Sequence, residues 1–273
     1  MRAFAMKDIL EELTEARRAD AAMREAEVPF GEMMRRASAA PAPRDFIGAF
    51  RGGGVPRVIA ELKRASPSEG MIREDFRPIE LAKGLESAGA AALSVLCEPH
   101  RFLGSEDYLR AVREAVDLPI LYKDFLSSRY QIAAARAAGA DAVLLIAAVL
   151  DDAKLSDLLA FAHGLGLAAL VETHDGNEID RAVGVGAKLV GVNCRNLRNF
   201  NCDVSRLETY IGRIPRPCVR IAESGMHSAE AIARAKAAGA DGFLVGTALM
   251  RAGRPGEKLK ELLANHQPLA TTH

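Results

Sequence analysis

Eight short aliphatic segments recur between residues 58 and 246 of this 273-residue chain, and they constrain the fold more than any other feature. Their starts lie between 21 and 34 residues apart: VIAEL (58–62), ALSVL (92–96), PILYKDF (119–125), AVLLIA (142–147), AALVET (168–173), LVGVN (189–193), VRIAES (219–224) and GFLVG (242–246). Each interval has room for one strand followed by one crossover helix. Nearly continuous aliphatic strands are typical of a parallel sheet that is buried on both faces. Eight such units favour a closed (β/α)8 barrel over an open doubly wound sheet.

A repeated local pattern supports this alternation. SAGAAALSVL, AAGADAVLLI, GVGAKLVGVN and AAGADGFLVG each place a small-residue helical segment before a Gly and an aliphatic strand after it. The Gly stands where the end of a helix requires a left-handed residue. True internal repeats and convergent use of the same helix-end residues explain the pattern equally well. Either explanation predicts βα units.

The first 50 residues are expected to form one or two helices before the barrel. Ile9, Leu10 and Leu13 fall on one helical face, and charged residues flank them. We expect this extension to cover one end of the core, with a role at the active site as the alternative. The predicted division is a helical extension over residues 1–50 packed on a catalytic barrel over residues 51–273, in a single domain overall.

Composition excludes several classes of protein. The 36 basic and 36 acidic residues give zero net charge, which argues against a basic nucleic-acid binder and a polybasic membrane anchor. No apolar run reaches the roughly 20 residues of a membrane span. The four cysteines form no CxxC pair, so we expect four reduced thiols and a cytoplasmic protein.

Polar residues recur at the ends of five predicted strands, where the chemistry of such a barrel lies. They are Glu61 and Lys63, Lys123, Glu172, Asn193 and Arg195, and Glu223. Two lysines and an arginine that face three glutamates can hold an anionic substrate and also move protons. We expect this crowding to shift the pKa values of the lysines and glutamates towards neutrality.

Two Gly-hydroxyl pairs follow the last two predicted strands, Ser224-Gly225 and Gly246-Thr247. The loops at this position commonly bind phosphate, because Gly lets backbone amides approach an anion closely. Ser66 can add a third hydroxyl, although an ordinary turn at Pro67 explains it equally well.

A metal site is not expected, because no His, Asp or Glu cluster has ligand spacing. The six histidines are scattered, and we expect each of them on the surface or in a loop.

The segments that carry these residues resemble the indole-3-glycerol phosphate synthase family. ELKRASPSEG, SVLCEPHRFLGS, LYKDFL, LLIAAVL, LVETHD, GVNCRNL, IAESGM and LVGTALM match its signature segments in order, and the resemblance runs from the N-terminal helices through residue 251. It implies a single-function carboxy-lyase of tryptophan biosynthesis that needs no cofactor or metal. The implied reaction closes the indole ring of 1-(2-carboxyphenylamino)-1-deoxyribulose 5-phosphate with loss of carbon dioxide and water.

The resemblance also implies roles for the residues. Lys123 would protonate the substrate carbonyl, Glu172 would be the general base, and Lys63 would hold the substrate carboxylate and is a candidate acid for the dehydration. Glu61 and Glu223 would position the lysines and the substrate. The remaining implied substrate contacts are Asn193 and Arg195 at the anthranilate end, Leu96 and Phe102 at its ring, and Ser66, Ser224, Gly225, Gly246 and Thr247 at the phosphate.

Three positions depart from the family pattern. Cys97 stands where Thr is frequent, Cys194 where a small or amide residue is usual, and Glu69 where Lys is common. None of them removes a proposed catalytic group. Glu69 is expected to weaken the attraction for the phosphate, so substrate affinity is the property most affected.

Two other functions fit the same strand-end residues. One is a Schiff-base aldolase that would use Lys123 or Lys63 as a covalent nucleophile. The other is a degenerate, non-catalytic barrel that binds a phosphorylated metabolite or serves as a partner subunit. In each case we expect a small phosphorylated ligand, no nucleic acid and no membrane. A monomer or weak homo-oligomer is expected, and transient contact with neighbouring pathway enzymes is left open.

Overall fold

Eight parallel strands close into a barrel in the computed structural model, which describes residues 9–52, 54–195 and 202–264. Each strand pairs with the next one in the chain, and the last pairs with the first. The strands are β1 (Arg57–Leu62), β2 (Ala92–Leu96), β3 (Ile120–Lys123), β4 (Ala142–Ile146), β5 (Ala168–Thr173), β6 (Leu189–Asn193), β7 (Val219–Glu223) and β8 (Gly242–Val245). The predicted (β/α)8 barrel and all eight predicted strands are confirmed.

Helices surround the barrel and precede it. They are α1 (Ile9–Glu27), α2 (Phe30–Ala39), α3 (Pro78–Ser87), α4 (Glu106–Ala115), α5 (Arg129–Ala137), α6 (Asp152–Gly164), α7 (Gly176–Gly184), α8 (Ser205–Tyr210), α9 (Ala229–Ala237), α10 (Thr247–Arg251) and α11 (Pro255–Ala264). A two-stranded hairpin, Ala65–Ser66 with Gly70–Met71, follows β1. Within the described ranges, no helix has a stretch both long and apolar enough to cross a bilayer.

The helix ends follow from the local sequence. Five helices begin after a residue whose side chain accepts a backbone N–H of the first turn, which satisfies a donor that the helix itself leaves free. These residues are Ser105, Ser128, Asp151, Asp175 and Ser228. The Gly of the repeated pattern has φ between 85° and 102° at all four positions, as predicted: Gly89, Gly139, Gly186 and Gly239.

Side chains alternate between the inner and outer faces of each strand, and this alternation determines which apolar and polar residues point into the barrel. Ile59, Leu121, Leu170 and Ile221 are buried in one cluster inside the barrel. The residues two positions further along their strands therefore point to the same interior. Those residues are Glu61, Lys123, Glu172 and Glu223. The barrel is thus apolar in its depth and charged at its carboxyl end.

The N-terminal extension covers one end of the barrel, as expected, and it also reaches the other end. Phe46 and Phe50 are buried in the cluster inside the barrel, and the Phe50 ring lies against Gly242, where β8 begins. Leu10 and Leu13 of α1 lie at the opposite, carboxyl end, beside the charged residues. The domain boundary expected at residue 50 stays a prediction.

Two of the four cysteines are free thiols, as expected, and the other two are neighbours, for which the reduced state stays a prediction. Cys194, the residue after β6, and Cys202, in the segment before α8, are neighbours, with their Cα atoms 5.3 Å apart. Cys97 is a buried free thiol and Cys218 a partly buried one. Spacing along the chain could not show this pair, because the two residues meet only where the chain after β6 doubles back.

Gly242→Ala is expected to lower the free energy of unfolding by about 1–3 kcal/mol, the usual cost of overpacking a core. An added Cβ would lie 2.6 Å from Phe50 Cδ1 and 2.7 Å from Ile221 Cδ1. The matched control is Gly84→Ala in α3, where a Cβ would meet no described heavy atom within 4 Å. That change should stabilise the helix by up to ~1 kcal/mol. Urea denaturation of both variants measures the difference, and equal stabilities would contradict the packing at this end.

Candidate active site

A cavity of about 530 Å³ opens at the carboxyl ends of the strands. Its size is that of a site for a small molecule. Every predicted site residue lines it: Glu61, Lys63, Ser66, Leu96, Phe102, Lys123, Glu172, Asn193, Arg195, Glu223, Ser224, Gly225, Gly246 and Thr247. The structure therefore brings together all the side chains that the sequence placed at strand ends. Residues 196–201, which include the end of the GVNCRNL segment, lie outside the described residues.

Lys123 occupies the centre of the site. It is the last residue of β3, and its Nζ lies 3.0 Å from Glu172 Oε2 and 2.9 Å from Glu223 Oε2. Burial favours the neutral amine, but the charges of the two carboxylates outweigh it and raise the pKa of Lys123. The expected shift towards neutrality is therefore wrong for Lys123, which is held as an ammonium.

The two carboxylates that share this ammonium titrate differently. Burial would raise the pKa of Glu172, but the charges of Lys123 and His174 and a hydrogen bond from Asn193 lower it to about 2. Burial raises the pKa of Glu223 to about 7, against the effect of Lys123 and with the help of the Glu172 charge. One cation cannot fully compensate two buried anions, so the proton affinities of the pair separate. The expected shift towards neutrality is right for Glu223 and wrong for Glu172.

Asn193 fixes the geometry around Glu172. Its Nδ2 donates to Glu172 Oε1 at 3.1 Å. Its Oδ1 accepts hydrogen bonds from the Arg195 backbone N–H at 3.0 Å and from the Ser224 hydroxyl at 2.8 Å. The Ser224 hydroxyl, which was expected to donate to a phosphate, therefore donates to Asn193 and orients it.

Lys63 and Glu61 form a second ion pair at the end of β1, with Lys63 Nζ 2.9 Å from Glu61 Oε1. Both side chains are largely buried, at 15% and 4% exposure. Gly246 makes this pair possible, because a Cβ there would overlap with the Glu61 carboxylate. Gly191 has the same function for Glu223, since a Cβ at that position would overlap with Glu223 Oε1.

The end of the cavity where phosphate is predicted is formed by the loops after β7 and β8 and by the hairpin after β1. Gly225 has a left-handed backbone with φ of 70°, and α10 begins at Thr247. The Ser66 side chain is buried and its Oγ lies 3.4 Å from Ser68 Oγ. Glu69, which departs from the family pattern, forms an ion pair with Arg251 at this rim.

Aromatic and aliphatic side chains form the opposite wall. The rings of Phe102 and Phe125 lie 6.2 Å apart and tilt by 43°, and Leu10 and Leu13 of α1 also line the cavity. The sequence analysis missed Phe125, although it stands two residues after Lys123 and so shares its side of the chain. The structure supports the alternative expectation for the N-terminal extension, a role at the active site.

A buried ion pair holds α1 at the mouth. Arg17 Nε and Nη2 donate to the two carboxylate oxygens of Asp124 at 3.0 and 2.7 Å. Asp124 follows Lys123 directly, so this contact joins the extension to the strand end that carries the ammonium. The sequence analysis missed it, because the partners are 107 residues apart.

Glu98 organises the loop that carries Phe102. It is fully buried, and its carboxylate accepts the backbone N–H groups of His100, Arg101 and Phe102 at 2.7–2.8 Å. A buried carboxylate with several backbone donors is a strong local constraint. No sequence pattern that we considered pointed to this residue.

His174 lies in the loop after β5, as expected, but it is not a surface residue. Its side chain is only 15% exposed, and Nε2 lies 3.5 Å from Glu172 Oε1. The histidine in LVETHD stands two positions after Glu172, which is the signal that could have found it. Among the described residues no three His, Cys, Asp or Glu side chains are grouped so as to hold a metal ion.

Comparison with known proteins gives one consistent result. Residues 10–262 match the family model described as indole-3-glycerol phosphate synthase. The indole-3-glycerol phosphate synthase of an Azoarcus species is 47% identical over 265 residues, which cover 94% of this chain and 99% of the relative. That of Micrococcus luteus is also 47% identical, over 94% of this chain and 97% of its own length.

Solved structures of lower identity share the fold. The 3-hexulose-6-phosphate synthase of Salmonella typhimurium superposes with a TM-score of 0.62 at 16% identity, over 77% of this chain and 100% of that one. The thiamine phosphate pyrophosphorylase of Pyrococcus furiosus gives a TM-score of 0.57 at 16% identity, over 76% of this chain and 93% of that one. At this identity the likeness supports the barrel alone.

Glu98→Gln is expected to lower the free energy of unfolding by about 1–3 kcal/mol, because an amide offers one acceptor oxygen to three buried donors. Glu114→Gln, the same change at an exposed position of α4, is the matched control and should stay within about 0.5 kcal/mol of the parent. Urea denaturation measures both. If the two variants are equally stable, the carboxylate does not hold this loop.

Proposed function

The chain belongs to the indole-3-glycerol phosphate synthase family, and from that premise we propose that the side chains of the barrel mouth close the indole ring by acid–base catalysis. The enzyme is a carboxy-lyase of tryptophan biosynthesis that converts 1-(2-carboxyphenylamino)-1-deoxyribulose 5-phosphate to indole-3-glycerol phosphate, carbon dioxide and water. The observation that carries the assignment of roles is the Lys123 ammonium, which lies within 3.0 Å of both Glu172 and Glu223.

Lys123 is the proposed general acid of ring closure. The ring carbon that bears the carboxylate attacks the ribulose carbonyl, and negative charge develops on the carbonyl oxygen. An ammonium donates a proton there more readily than water does, because it is already positioned and needs no reorganisation. The raised pKa of Lys123 means that the ammonium form, which carries the proton to be donated, is present at neutral pH.

Lys63 is the proposed partner of the substrate carboxylate. Its ammonium is paired with Glu61 and lines the same cavity as Lys123. A cation that holds the carboxylate also orients the adjacent ring carbon towards the carbonyl. After ring closure the carboxylate leaves as carbon dioxide, and Lys63 is then free to protonate the departing hydroxyl in the dehydration.

Glu172 is the proposed general base. Loss of water requires that a proton is removed from the ring system as the hydroxyl departs. Glu172 is a carboxylate at neutral pH because its pKa is lowered, and Asn193 holds one of its oxygens in place. Glu223 is proposed to position Lys123 from the other side, and Arg195 to orient the anthranilate end.

The phosphate is proposed to bind at the opposite end of the cavity, against Gly225, Gly246 and Thr247, with Ser66 from the β1 side. Backbone N–H groups in Gly-containing loops are suited to an anion. Leu96 and Phe102 are proposed to pack on the anthranilate ring. The Glu69–Arg251 ion pair supports a modest effect of Glu69 on the phosphate, because its charge already has a partner.

An aldolase is the competing function of the same residues. Schiff-base chemistry needs a neutral amine as the nucleophile. Lys123 has two carboxylate partners that stabilise its charged form, and Lys63 has one. The charge distribution therefore favours proton donation over covalent catalysis.

The cellular location, oligomeric state and partners of the enzyme are also proposals. We propose a cytoplasmic monomer or weak homo-oligomer that makes at most transient contacts with neighbouring enzymes of the pathway. The zero net charge supports the absence of nucleic-acid and membrane partners, since both attract basic surfaces.

Turnover of the proposed substrate, followed by the fluorescence of the indole product, tests the function. The parent should form indole-3-glycerol phosphate, and Lys123→Met should lower kcat by ~10²–10⁴ with little change in substrate affinity, because the proton is delivered in the transition state. Borohydride should trap no adduct in the parent. A trapped covalent adduct, or a kcat of Lys123→Met within a few-fold of the parent, would overturn the role of Lys123.

Glu172→Gln should lower kcat by at least ~10²-fold across the neutral pH range, since the parent carboxylate is ionised throughout it. The pKa of about 7 assigned to Glu223 should also move down in this variant, because the Glu172 charge no longer raises it. A kcat–pH profile of the residual activity measures both effects. If near-normal turnover persists, the base has to be sought at Glu61 or Glu223.

A further inference from the structure

His174 lies between two carboxylates and beside the proposed base. Its Nε2 is 3.5 Å from Glu172 Oε1, and its Nδ1 is 3.2 Å from Glu178 Oε2. Nε2 is buried and makes no well-aligned hydrogen bond with any described residue. An imidazole with a carboxylate at each nitrogen satisfies both of them only when it carries two protons, because a neutral ring has one donor.

The backbone around His174 is fixed by the start of α7. Asp175 is the N-cap of this helix, and its side chain accepts the Glu178 backbone N–H at 2.9 Å. The Glu178 carboxylate in turn accepts the His174 backbone N–H at 2.7 Å. This reciprocal arrangement is similar to a capping box, with the second contact shifted by one residue. From α8, Arg206 donates to the His174 carbonyl oxygen at 2.7 Å. The ring is therefore held at Glu172 by a rigid frame.

We propose that His174 is a positioning residue, which holds the Glu172 carboxylate as an imidazolium while Lys123 is without its proton. This inference rests on the proposed function, since it assigns to Glu172 the role of base and to Lys123 that of acid. It adds a residue that the sequence analysis placed among the surface and loop histidines.

The need for such a residue follows from the charge balance of the reaction. When Lys123 protonates the substrate carbonyl, one N–H bond breaks, one O–H bond forms, and the lysine becomes a neutral amine. Glu172 then loses the cation that most stabilises its charged form. A buried carboxylate without a cation regains its proton easily and can turn away from Asn193. The imidazolium of His174 remains beside it and keeps it ionised and oriented for the dehydration.

The groups that face His174 favour its charged form. Glu172 on β5, Glu178 on α7 and Glu223 on β7 are all acidic. Arg206 on α8 is the described cation that contacts the residue, and it contacts the backbone carbonyl and not the ring. Burial lowers the pKa of His174, but the Glu178 hydrogen bond and the three carboxylate charges outweigh it and raise the pKa above the usual 6.5.

Titration of the histidine ring signals by NMR tests the charge pairing without any substrate. The signal of His174 is assigned from its loss in His174→Gln. Its pKa should lie above 6.5 in the parent and fall by about one unit or more in Glu172→Gln and in Glu178→Gln. The exposed His163 on α6 is the control, and its signal should not move. If the His174 pKa shifts no more than that of His163 in Glu172→Gln, the pairing is absent and the inference is overturned.

The dependence of kcat on pH tests the role in catalysis. Parent kcat should fall about tenfold as the pH rises through the His174 titration, because a neutral imidazole no longer holds the Glu172 carboxylate in position, and a misplaced catalytic group costs about this much or more. His174→Gln should show the lower kcat at every pH, with KM little changed, and should lack this alkaline limb. A histidine that is only structural would lower kcat by one factor at all pH values and leave the limb in place, which would overturn the inference.

The two measurements separate the inference from the function on which it rests. If the parent forms no indole-3-glycerol phosphate, the proposed function fails, even when the NMR shifts show that His174 and Glu172 are coupled. If the parent turns over and His174→Gln keeps the alkaline limb, the proposed function stands and the role of His174 fails.

Discussion

The Lys123 ammonium between Glu172 and Glu223 is the interaction on which the rest of the site depends. The side chains of Lys123, Glu172 and Glu223 are all largely buried. Burying a charge costs free energy, and here the opposite charges of the neighbouring groups offset that cost. Their positions come from three strands that are not neighbours, β3, β5 and β7. Closure of the barrel in this register brings Lys123 Nζ within 3.0 Å of a carboxylate oxygen of Glu172 and of Glu223. The arrangement of the three charges therefore depends on the fold.

The apolar surroundings make these charges effective. Below the carboxylates the barrel is filled by aliphatic side chains, and above them α1 contributes Leu10 and Leu13 to the wall of the cavity. Low polarity strengthens each electrostatic contact and also separates the proton affinities of Glu172 and Glu223. The Arg17–Asp124 pair holds α1 in this position, so the N-terminal extension contributes to the chemistry and not only to stability.

Sequence patterns within single strands and helices predicted the fold and the residues of the site. They did not predict how those residues change one another's pKa values. Strand alternation was sufficient to place Glu61, Lys123 and Glu172 on the inner face, because it depends only on nearest neighbours in the chain. The pKa directions depend on contacts between different strands, so a list of residue types could not supply them. His174 was missed for a different reason: both of its carboxylate partners, Glu172 and Glu178, are near it in the chain, but the sequence does not show that the loop after β5 turns the ring towards them. The Cys194–Cys202 pair and the position of α1 likewise depend on contacts that spacing does not encode.

Under the proposed function, the charge of the substrate carboxylate affects both substrate binding and product release. The substrate carries a carboxylate and a phosphate, whereas the product keeps only the phosphate. The carboxylate is held by Lys63, which is paired with Glu61 when the cavity is empty. Once the reaction is complete and Lys63 has regained its proton, it can return to Glu61, and the contact that held the substrate carboxylate is gone. The same ion pair therefore favours departure of the product over departure of the substrate, because the carboxylate that displaced Glu61 is the group that the reaction removes.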